Sequence, residues 1–353
     1  MPVDDAPLPP TLPTEILDLI VEFALLSGHC DDAASSDVFV LIAPLTLASS
    51  VLRLLTLRRF LRHIIFSRVE FKPQHSQWNG FFKLLESLVD RTGGESFTWV
   101  KSIRASSKTL MGRYHSARLA ALTNLEELSI DLATEGLITQ KPFLKLIDSA
   151  SPRLTMLTLT SLPCIDIQLL KFIAATFPCL LDLYLSCTER LHFHCWSCYE
   201  ESLGRTTHSP IPDVFSSASH MAAVFARILK PLAHLVHLHL GVYLSDEMLI
   251  QYHIDHAETE ELRPFGPEMC TLCEIASTDV QMRELEAGLE FAQSLKALQT
   301  VGFSSFFDDT PAYRSTIRKA TAAPPISDNK TTVYILRGNG RIKVKKSPWS
   351  RVA

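Results

Sequence analysis

Leu154-Thr155-Met156-Leu157-Thr158-Leu159 sets one leucine three positions ahead of a pair that alternates with polar residues, and the same LxxLxL spacing returns along the chain. Leu125-Leu128-Ile130, Leu180-Leu183-Leu185 and Leu235-Leu238-Leu240 are clear copies, while Val100-Ile103-Ala105 and Leu298-Val301-Phe303 are weaker ones at either end. The alternating pair has the period of a strand with one buried face. The first four copies begin about 25 to 29 residues apart, a repeat-array spacing. The next two intervals are about twice as long and hold a degenerate copy or an insertion.

Between the copies, apolar residues fall at helical spacing, over Met111 to Leu122, Pro142 to Ala150, Ile167 to Phe177, Ser219 to Leu235 and Thr278 to Leu295. Strands alternating with helices predict an α/β fold with parallel strands and outer helices, because parallel neighbours need a long crossover. The first leucine and the following pair point into a shared core. The intervening positions, Glu127 and Ser129, Met156 and Thr158, Asp182 and Tyr184, His237 and His239, then lie on an exposed, concave sheet face. Tyr184, His237 and His239 are the candidate substrate-binding residues of that face.

Ahead of the repeats, Leu12-Pro13-Thr14-Glu15-Ile16-Leu17-Asp18-Leu19-Ile20 reads as a helix start, with Pro13 at the first helical position and Glu15 in the first turn. Leu12, Ile16, Leu19 or Ile20, and Phe23 form one apolar stripe, and Asp18 and Glu22 point elsewhere. After a polar break from Ser27 to Asp37, a second helical stretch is expected from Leu45 to Phe66, with its arginines on a solvated face. Beyond the repeats, Asp308 to Lys330 reads as a linker, and Val333 to Leu336 with Ile342 to Val344 reads as a hairpin turning at Asn339-Gly340. Lys343, Lys345 and Lys346 make its last strand basic, the usual protection of a sheet edge. The resulting domains are 1–68 helical, 69–310 repeats, and 311–353 linker and hairpin.

The composition is globular, with 46% hydrophobic and 20% charged residues, and the net charge of -4 gives no reason to expect a nucleic-acid partner. Val38 to Leu57 is broken by Pro44 and carries Arg53, so a buried helix explains it better than a membrane span. Met1 to Pro10 has no basic segment followed by an apolar run, so cytoplasm or nucleus is the expected location. In such a compartment the cysteines are thiols. Cys195-Trp196-Ser197-Cys198 and Cys270-Thr271-Leu272-Cys273 have the spacing at which paired thiolates hold zinc, and both pairs lie in the overlong intervals. Two readings stay open: a structural zinc clasp, or reduced cysteines packed as small hydrophobes. No nucleophile elbow, P-loop, HExxH or GxGxxG occurs, and no carboxylate or nucleophile can be assigned beside His234, His237 and His239, so no enzyme is expected.

The Leu-Pro-x-Glu-Ile-Leu-x-x-Ile start, an arginine-studded helix after it and irregular leucine-rich repeats together resemble fungal F-box-like proteins with a leucine-rich repeat region. The resemblance implies a small F-box-like helical domain followed by an irregular leucine-rich repeat solenoid. It implies a ubiquitin ligase adaptor: the F-box docks on the Skp-type adaptor of a cullin ligase core, and the repeats hold a substrate protein. Leu12, Pro13, Ile16, Leu17 and Ile20 would then lie in or near the adaptor contact. The chain departs from that pattern at Ala48 to Arg53, and it lacks the regular asparagine after each copy, having Ala133, Leu162, Thr188 and Tyr243 instead. The alternative is an interaction scaffold outside any ligase, with the cysteines as its zinc clasp.

Overall fold

The computed structural model describes residues 12–27, 35–66, 75–110, 115–132, 143–162, 165–187, 214–244, 271–304 and 330–348. Among them the architecture is mixed α/β, built on a nine-stranded sheet whose strands lie side by side in chain order. The strands are β1 His63–Ile65, β2 Ser102–Ser106, β3 Glu127–Asp131, β4 Met156–Leu162, β5 Asp182–Cys187, β6 His237–Tyr243, β7 Thr300–Ser304, β8 Lys330–Gly338 and β9 Arg341–Pro348. From β1 to β7 every pairing is parallel, and β7 to β8 and β8 to β9 are antiparallel.

The LxxLxL copies sit in register. Ile103, Leu128, Leu157, Leu183, Leu238 and Val301 pair across successive strands, as do Ala105, Ile130, Leu159, Leu185, Leu240 and Phe303. The leading residues Val100, Leu125, Leu154, Leu180, Leu235 and Leu298 are fully buried in the same core. A shared backbone bond repeats with them: the carbonyl of Glu126 accepts from the N–H groups of Thr155 and Met156, that of Thr155 from Leu181 and Asp182, and that of Leu181 from Val236 and His237. Each copy therefore buries its apolar residues against its neighbours and the helices packed on them.

One further copy was hidden in the expected second helix. Instead of one helix from Leu45 to Phe66, the chain forms α2 Ser35–Ala48, α3 Ser50–Phe60 and then β1. Ser49 separates the helices by capping α3, its hydroxyl accepting from the Leu52 N–H at 3.1 Å. Leu61, Ile64 and Phe66 then repeat the LxxLxL spacing, all buried, and the Arg62 carbonyl accepts from Lys101 and Ser102 like its counterparts downstream. The helix α1, Thr14–Ser27, packs on α3.

Helices cover the core side of the sheet: α4 His75–Thr92, α5 Ser107–Leu110, α6 His115–Ala121, a helical turn at residues 143–147, α7 Ile167–Thr176, α8 Ala218–Leu229 and α9 Thr271–Ser294. Asp166 and Ser217 cap α7 and α8, accepting from the Leu169 and His220 N–H groups. The β1 end of the core is closed by aromatic rings, Trp78 lying 5.5 Å from Phe66 and 4.8 Å from Phe82. At the other end β8 joins β7, and the hairpin turns at Asn339 and Gly340, whose φ angles of 51° and 71° are those of a type I′ turn. Arg337 ties the hairpin to α9, donating from Nη2 to the carbonyls of Ala292 at 2.9 Å and Leu295 at 2.8 Å, where a helix leaves carbonyls unpaired. Gly288 lets α9 approach β8, since a Cβ there would sit 2.7 Å from Val333 Cγ1. Glu284 of α9 is fully buried and pairs with Lys346 of β9 at 3.0 Å.

Candidate protein-binding surfaces

The first surface is on α1. The Pro13 carbonyl accepts from the N–H groups of Ile16 and Leu17, which makes Pro13 the cap and Thr14 the first helical residue, one position later than the sequence pattern suggested. Two contacts fix which side faces inward. Val21 is completely buried, and Arg59 of α3 grips Asp18, donating from Nε to Oδ1 at 2.9 Å and from Nη2 to Oδ2 at 2.5 Å, with Glu22 a further 3.5 Å neighbour of Nη2. The Arg59 guanidinium holds the Asp18 carboxyl below its ordinary range, mainly through this hydrogen bond, and Asp18 in turn raises Arg59. Arg59 is thus a clamp rather than part of a solvated face.

With Asp18 and Val21 inward, the apolar stripe must face out. Leu12, Ile16, Leu19, Ile20 and Phe23 are exposed, Phe23 to 70%, Pro13 is exposed, and Leu17 is half-buried. Val40 and Leu47 of α2 and Val51 and Leu54 of α3 are exposed as well. These exposed apolar residues are concentrated on one small helical unit, which makes it a candidate docking surface. The sequence pattern gives Leu47, Val51 and Leu54 or Leu55 helical spacing opposite a solvated arginine face, but Leu47, Val51 and Leu54 are exposed and it is Leu57 and Leu61 that are buried.

The second surface is the sheet face away from the helices. Ser102, Glu127, Met156, Asp182, His237 and Thr300 form one cross-strand row, and Arg104, Ser129, Thr158, Tyr184, His239 and Gly302 the next. The His237 ring nitrogen Nδ1 lies 2.8 Å from the Thr300 hydroxyl. Tyr184 and His239 stack face to face, with ring centroids 4.3 Å apart and an interplanar angle of 13°. His239 departs from expectation: it was placed on the exposed face, yet it is 2% exposed. The parallel Tyr184 ring lies against it, so Tyr184 and His237, both half-buried, are what this part of the face offers a ligand. The first row carries two carboxylates and the second an arginine, with hydroxyls in both, a surface for polar contacts.

Cys195, Cys198 and Cys270 lie outside the described residues, and Cys273 stands in the first turn of α9. Among the described residues no group of His, Cys, Asp and Glu is placed to hold a metal ion, and no helix is long and apolar enough to cross a membrane. No protein-family model matches the chain, and no curated protein matches it in sequence.

Proposed function

We propose that this chain is a non-enzymatic recognition subunit of the F-box type, in which α1 docks on a Skp-type adaptor and the sheet region, a leucine-rich repeat solenoid, presents a target protein to the ubiquitin-transfer machinery. The adaptor contact is Leu12, Pro13, Ile16, Leu17 and Ile20, with Leu19 and Phe23 extending it. Such a subunit accelerates transfer by holding two macromolecules together, so it needs surfaces rather than a reacting centre. The observation that carries the reading is the outward stripe of α1: Leu12, Ile16 and Ile20 stay exposed although a core helix would have buried them. The separate polar sheet face supports it, since an adaptor of this kind requires two binding surfaces at once.

The test is co-purification of the intact chain with a Skp-type adaptor. Capture of the adaptor is expected, and it is lost in the I16D/I20D variant, whose changes lie at exposed positions and leave the circular dichroism spectrum and thermal midpoint close to those of the parent. If the intact chain captures no adaptor, or I16D/I20D captures it equally well, the reading is overturned.

A further inference from the structure

Among the described residues no strand lies beside the outer edge of β9, which carries a row of cations, and we propose that it binds an acidic, extended peptide as an added strand. β9 ends the sheet, and among the described residues no strand pairs with its outer side. The hairpin geometry says which backbone groups of β9 face away from β8. Gly338 and Arg341 close a two-residue turn and exchange hydrogen bonds, so bonding to β8 recurs at Lys343 and Lys345 by the alternation of an antiparallel ladder. The N–H and C=O groups of Ile342 and Val344 therefore point away from β8, along the edge.

Side chains on the two faces of β9 differ sharply. Ile342 and Val344 pack against the core, and Lys346 is occupied by Glu284. Arg341, Lys343 and Lys345 are exposed on the opposite face, beside Tyr334 and Leu336 of β8, and have no ion-pair partner among the described residues. At the turn, an open hollow of about 510 Å³ lined by Leu336, Arg337, Gly338, Asn339, Arg341 and Lys343 adds room beside the first of these cations.

Charge selects the occupant. A second copy pairing edge to edge would bring these cations against each other, which is unfavourable for directly opposed like charges. A strand with carboxylates at every second position would instead meet Arg341, Lys343 and Lys345 in turn while its backbone completes the ladder. The same lysines that guard the edge against self-association thus admit an acidic partner. This surface is separate from α1 and from the Tyr184 region, and it does not depend on adaptor docking.

The experiment is fluorescence anisotropy of a fluorescein-labelled peptide alternating glutamate and valine over eight residues, the length of β9, titrated with the intact chain. Saturable binding is expected, weakened about tenfold or more by K343E/K345E and by raised salt. A second peptide, N-methylated at alternate residues on the edge-facing side, keeps every charge and cannot pair; it is expected to bind at least about tenfold more weakly. I16D/I20D is expected to bind the peptide like the parent, which separates failure of this proposal from failure of adaptor docking. Equal binding of both peptides, no effect of K343E/K345E in a folded variant, or binding of a single-stranded oligonucleotide in place of the peptide overturns it.

Discussion

Two ion pairs illustrate how burial decides what a charge is worth. Asp18 and Arg59 keep about a third of their side chains in solvent, so their pairing orients α1 more than it stabilises the molecule. Because the folded Asp18 carboxyl titrates below its ordinary value, its contribution is fully present above the unfolded carboxylate range and is lost as pH falls through the lowered folded value. Hydrogen exchange in α1 is therefore expected to rise between about pH 5 and pH 3 more steeply in the parent than in Asp18→Asn, after correction for the intrinsic exchange rate. Parallel pH profiles would show that the clamp does not hold α1. Glu284 has no such access to water, and Lys346 is its partner. Lys346→Met removes an ion-pair partner from a buried carboxylate and is expected to cost about 3–5 kcal/mol in urea denaturation, whereas the E284L/K346M double variant regains most of that loss. A single variant as stable as the parent would mean that the pair does not hold β9 to α9.

At the scale of elements, what could be read from the sequence was whatever is encoded locally. Leu157 and Leu159 alternate within one strand, and Asn339-Gly340 defines its own turn, so the strands β2 to β7 and the hairpin were legible. β1 was not, because Leu61, Ile64 and Phe66 directly follow a helix and their spacing also continues a helical pattern. The boundary between α2 and α3 was equally hidden: Ser49 is a cap only if the chain is known to break there. Pairings between distant segments left no local trace. The union of β8 with β7, the docking of Arg337 on the end of α9 and the grip of Arg59 on Asp18 each join residues far apart in the chain. The same limit applies to the surfaces: the α1 stripe was visible as a pattern, but its exposure follows from contacts with α3, and the stacking of Tyr184 on the buried His239 joins residues of two separate strands.

For the whole molecule, strand order equals chain order, so among the described residues each strand pairs only with its immediate neighbours in the sheet. Stability in such an arrangement is close to a sum of unit and interface contributions. Leu183 tests this, since it is fully buried in β5 and stands in register with Leu157 of β4 and Leu238 of β6. Leu183→Ala leaves a cavity shared by those interfaces and is expected to cost about 2–5 kcal/mol. Hydrogen exchange should then accelerate most in β4, β5 and β6, less in β2 and β3, and least in β8 and β9, which Arg337 and the Glu284–Lys346 pair anchor independently to α9. A uniform acceleration from β1 to β9 would instead mean that the sheet unfolds as one unit. The gradient bears on the proposed function, because it would allow the middle of the sheet to yield to a bound protein while α1 and the β9 edge, at opposite ends of the chain order, keep their shapes.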